Sequence, residues 1–99
     1  MDFQTYVVDL MNKAASVRSL ASQEYAVPTD VLNNFKVVAD VMLLEPSEVL
    51  CVFLMKHIVS ITRNVSLRES MEGRIIDAIN YLLLLGYMLE KENEVGQND

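Results

Sequence analysis

Apolar side chains recur every three to four residues along most of this chain, and that period leaves little room for any element but the α-helix. Phe3, Tyr6, Val7, Leu10, Met11, Ala14, Val17 and Ala21 fall on one side of an ideal helix. Gln4, Asp9, Asn12, Lys13, Ser16 and Ser19 fill the other, so an amphipathic first helix is expected over about 3–22. No stretch sustains the apolar and polar alternation of a half-buried strand.

Punctuation divides the remainder. Val27 precedes a proline and is biased away from helix, and Thr29 or Asp30 can cap a second helix over about 29–43, with Val31, Phe35, Val38 and Met42 on one stripe. Glu45-Pro46-Ser47-Glu48 reads as a helix start, because proline suits the first turn and carboxylates there meet the positive end of the macrodipole. The third helix is expected over about 46–64. Its run Val49 to Met55 is nearly all apolar and is expected to be buried on more than one side, with Cys51 packed inside it as a small hydrophobe. Ser66-Leu67-Arg68-Glu69 matches a capping box and opens a fourth helix over about 67–92, ahead of a polar tail at 93–99 expected to be mobile. The expectation is one all-α, four-helix domain over residues 1–99.

Composition adds partners and exclusions. With 52% apolar residues and a mean hydropathy of +0.22, the 99-residue chain carries more apolar surface than a four-helix monomer can bury. A homo-oligomer is expected, a dimer or tetramer forming a larger helical bundle. The net charge of -6 and the scatter of Lys13, Arg18, Lys36, Lys56, Arg63, Arg68, Arg74 and Lys91 argue against duplex nucleic acid. The apolar run from Tyr81 reaches Leu89 only if Gly86 is tolerated, well short of the roughly 20 residues that span a bilayer. No membrane partner is expected, and the start Met1-Asp2-Phe3-Gln4 lacks a basic n-region, which predicts a cytoplasmic protein.

The concentrated polar signal opens the fourth helix. Glu69, Gly73, Asp77 and Asn80 share one face at spacings of four, four and three, with Glu72 about a turn before Asp77 and with Arg74 and Tyr81 flanking. Carboxylates converging there can hold Mg²⁺, a hard cation that takes oxygen ligands; equally, Glu69 can be a cap, and Asp77 can pair with a cation on a neighbouring helix. On the third helix Lys56, Ser60 and Arg63 form a cationic stripe that can meet a phosphate or neutralise Asp77. Glu45 and Glu48 have ExxE spacing, across a proline at a helix start. His57 is the only histidine and Cys51 the only cysteine, so a nitrogen and sulfur metal site is not expected.

Glu72-Gly73-Arg74-Ile75-Ile76-Asp77-Ala78-Ile79-Asn80-Tyr81-Leu82, preceded by Lys56-His57-Ile58-Val59-Ser60-Ile61 and by Asn34-Phe35-Lys36, resembles small phage-encoded helical proteins allied to the all-α nucleoside triphosphate pyrophosphohydrolases, the MazG-like and nucleotide-modification-associated domains. The resemblance covers about residues 30–90. It implies a helical dimer or dimer of dimers in the host cytoplasm, with a nucleotide between helices and Mg²⁺ activating water against the α–β phosphate link. Carried over onto this chain, it implies Asp77 and Glu72 as metal ligands with Glu48 a third, Lys56 and Arg63 on phosphate, and Asn80 and Tyr81 on the nucleotide. The chain departs from the pattern at Gly73, where relatives often carry an acidic residue, and in the displacement of ExxE to Glu45 and Glu48. Those departures keep open a second expectation, a non-catalytic helical oligomer that binds a nucleotide or a partner protein.

Overall fold

The computed structural model describes residues 1–25, 32–67 and 71–97, and among them it is all-α with four helices and no strand. These are α1 (Phe3–Tyr25), α2 (Asn33–Met42), α3 (Pro46–Asn64) and α4 (Glu72–Gln97), with a 3-10 turn at Val65–Leu67. The expected caps Thr29 and Asp30 and the Glu69 half of the expected capping box lie outside the described residues.

The starts of α1 and α3 have a local cause. The Asp2 carboxylate accepts a hydrogen bond from the Thr5 N–H at 2.8 Å, which holds its pKa below the usual aspartate value and frees the chain to enter α1. At α3, Pro46 stands in the first turn, and the Glu48 carboxylate turns back to accept the Glu45 N–H at 3.0 Å in a reciprocal capping box. The fourth helix begins five residues later than the spacing predicts, because Val65–Leu67 tightens into the 3-10 turn. It also runs past the expected end to Gln97; in that stretch Lys91 pairs with Glu94 one turn on.

Leu43 closes α2 in the left-handed region, at φ 59° and ψ 42°, while the Leu44 N–H reaches back to the Ala39 carbonyl at 2.9 Å. A leucine there is strained, and its side chain is 91% exposed, so no packing offsets the strain. Leu43→Gly is therefore expected to stabilise the chain by about 1 kcal/mol, seen as a thermal midpoint raised by roughly 4–8 °C.

The helices bury two separate clusters along α4. Toward its start, Ile76 meets Leu10 and Ala14 of α1, with Ile75 and Ile79 alongside. Further on, Met88 meets Leu32, Phe35, Ala39, Val49 and Leu50 from the α2 and α3 side, with Tyr81, Leu84 and Leu85 packed against them. Among the described residues α1 thus docks on α4 alone, toward its start, while α2 packs on α3 and α3 on α4. The result is long, 48 × 28 × 26 Å, with a radius of gyration of 15.6 Å against the roughly 13 Å of a compact chain this size. No described helix is long and apolar enough to cross a membrane.

This layout corrects one expectation. Cys51 is exposed, as are Val52 at 65% and Met55 at 59%, so the apolar first half of α3 is not buried all round. Only α2 and α4 pack on α3, and their combined footprint covers Val49 and Leu50 but not the far side of the helix.

Candidate functional site

The polar residues of the α4 start divide between two neighbours, because successive positions on a helix point about 100° apart. Asn80 faces α1. It is 8% exposed, its side-chain carbonyl accepts from the Arg18 guanidinium at 2.7 Å, and its amide donates to the Ala14 carbonyl at 3.2 Å. Ala14 is fully buried, and with only a methyl group there α1 can approach close enough for that second bond. Tyr81 faces the other way, its ring stacked 6.4 Å from Phe53, edge-on to Phe35 at 6.3 Å and 4.8 Å from the His57 imidazole.

Glu72 also faces α1. Its carboxylate takes the Lys13 ammonium at 2.9 Å, and the same ammonium holds Asp9 at 3.1 Å. These groups line an open groove of about 420 Å³ between α1 and α4, shared with Asn12, Ser16 and Ile76. The hydrogen bond to Glu72, followed by that to Asp9, raises the Lys13 pKa above its ordinary 10.5. A raised folded-state pKa contributes stability that is present below about 10.5 and lost as pH climbs through the folded value. The thermal midpoints of the wild type and Lys13→Met are therefore expected to differ by a constant amount from neutral pH to about 10 and to converge above it. A difference that persists unchanged in strong alkali would contradict the pairing.

On α3, Ser60 turns inward and accepts the Arg74 Nε–H at 3.0 Å, whereas Lys56 and Arg63 stand exposed. No ion pair among the described residues joins Lys56 to Asp77, which is half-buried on α4. Glu48 is held in its capping box at the start of α3. The candidate metal ligands are thus distributed, Glu48 at one helix start, Glu72 in the α1 groove and Asp77 further along α4. Among the described residues no three side chains of the His, Cys, Asp or Glu type gather where a metal ion could be held.

No family model matches the chain. Nor is any curated protein or solved structure found to match it. The likeness to MazG-like proteins therefore rests on the residues quoted for it.

Sequence reasoning missed Arg18, which it counted among scattered cations. The usable signal was its spacing: Leu10, Ala14 and Arg18 lie four apart on one face, so a guanidinium one turn beyond two core positions must meet the neighbouring helix.

Proposed function

We propose that this chain is a non-catalytic helical oligomer whose work is association through exposed apolar helix faces. The observation that carries the reading is surface area. The chain exposes 7532 Å², whereas a folded monomer of this mass exposes about 5,700 Å². The excess is rich in large apolar groups, among them Val37, Val41, Met42, Val52, Met55, Leu82 and Leu83. Apolar surface on that scale is removed from water when helices of another chain cover it.

The occupied state of the polar groups supports the same reading. Glu72 is engaged by Lys13, Glu48 by its cap, Asn80 by Arg18 and the α1 backbone, and Tyr81 by an aromatic cluster. Each of these contacts holds the fold together. In a hydrolase of the resembled kind the same side chains would hold Mg²⁺ and a nucleotide.

The test has two arms. Light scattering on the purified protein is expected to return a mass above that of one chain at micromolar concentration. Incubation with a panel of deoxynucleoside triphosphates and Mg²⁺ is expected to release no more pyrophosphate than an Asp77→Ala control. Turnover that Asp77→Ala abolishes would replace this reading with the Mg²⁺-dependent pyrophosphohydrolase, using Asp77, Glu72 and Glu48 on the metal and Lys56, Arg63, Asn80 and Tyr81 on the nucleotide.

A further inference from the structure

The outer side of α3 has a pattern of its own. Toward α2 and α4 the helix buries Val49 and Leu50 and half-buries Leu54, His57 and Ile61. On the opposite side Val52, Met55 and Val59 follow one another at spacings of three and four, and Cys51 and Ile58 widen the stripe. Val52, Met55, Ile58 and Val59 are 65%, 59%, 41% and 39% exposed, so a continuous apolar strip runs down a helix whose other side is core. The strip ends in charge, Glu48 one turn before Val52 and Arg63 one turn after Val59, both exposed.

That order reads the same from either end except for the sign of the charge. Along the strip, with Lys56 at its edge, each direction outward from the Met55–Lys56 step meets a valine and then a charged residue one turn on, acidic at the N-terminal end and basic at the C-terminal end. A second α3 laid parallel would set Glu48 against Glu48 and Arg63 against Arg63. Laid antiparallel about the Met55–Lys56 step, it sets Val52 against the partner's Val59 and Glu48 level with the partner's Arg63 at both ends. A two-fold interface must be self-complementary in this way, since one patch meets its own copy. Opposed macrodipoles favour the same direction.

Resting on the association reading above, the geometry points to a second copy of this chain as the occupant: two α3 helices pair antiparallel across a two-fold axis between Met55 and Lys56. A 19-residue helix offers a contact about 28 Å long. Lys56 and Arg63 then belong to the rim of the pair, where charge sets direction and partner choice more than affinity.

Cross-linking separates the directions. In the antiparallel pair the two Cys51 thiols lie about 14 Å apart along the axis, too far for a disulfide, while the two copies of residue 55 lie within about 2 Å of level. Met55→Cys combined with Cys51→Ser is expected to oxidise to a covalent dimer, and the wild type with Cys51 alone is not. Val59→Glu is expected to weaken the dimer by about a hundredfold or more, because it buries an unpaired carboxylate, and to leave the helical circular dichroism unchanged, because the side chain is partly in solvent. Arg63→Glu, at a fully solvated position, is expected to weaken it by about tenfold, an effect that salt diminishes. A disulfide through Cys51 but not through residue 55 would overturn the antiparallel pairing. A dimer that keeps wild-type affinity in Val59→Glu would move association to another surface, overturning this inference and leaving the association reading intact. A wild-type monomer at micromolar concentration would overturn both.

Discussion

Leu50→Ala is expected to lower the unfolding free energy by about 2–5 kcal/mol. Leu50 has no exposed surface and is the largest fully buried side chain among the described residues. It sits where α2, α3 and α4 share a cluster, in contact with the group formed by Leu32, Phe35, Ala39, Val49 and Met88. Its loss forfeits transfer free energy and leaves a cavity that three helices cannot all close upon. Because the chain buries few large side chains, that loss is a large part of a marginal total. Urea unfolding followed by circular dichroism measures it, with Val8→Ala, at a position 60% exposed, expected to change stability by no more than about 0.5 kcal/mol. Equal effects at the two positions would mean that the Leu50 cluster is not the core.

Asn80→Leu is expected to cost about 1–3 kcal/mol, and to do so locally. The substitution keeps the volume but removes both polar partners, the acceptor for Arg18 and the donor to the Ala14 carbonyl. The Arg18 guanidinium then loses its buried partner, and the α1 contact is left with the small cluster of Leu10, Ala14 and Ile76. Among the described residues α1 touches no helix but α4, so its docking can fail without unravelling the α2 and α3 side. Hydrogen exchange is the suitable measurement: amides of α1 are expected to lose protection while those of α3 keep theirs. Uniform loss along the chain would show that α1 is not a separable unit. A double-mutant cycle with Arg18→Ala is expected to return a coupling of about 0.5–3 kcal/mol.

Much of the fold was legible because helical period and chain punctuation are local. Pro46 with Glu45 and Glu48 marks the start of α3 from sequence alone, since cap and proline act within one turn. The start of α4 was not legible. Ser66 and Glu69 have the right spacing for a cap, yet the chain spends Val65–Leu67 in a 3-10 turn before α4 begins at Glu72, a choice local propensity does not decide. The site was legible only as a cluster of polar residues. That Asn80 would turn to α1 and Tyr81 to Phe53 and His57 depends on which helix packs on which side of α4.

By itself, the sequence determined that the chain is helical and where α3 begins, because period and capping are properties of neighbours along the chain. Only the tertiary structure decided that Cys51, Val52 and Met55 face outward, that Glu72 and Asn80 are spent on Lys13 and Arg18, and that α1 hangs on half of α4. Those outcomes follow from which helix faces meet, and an apolar stripe has the same spacing whether its partner is in the same chain or in another.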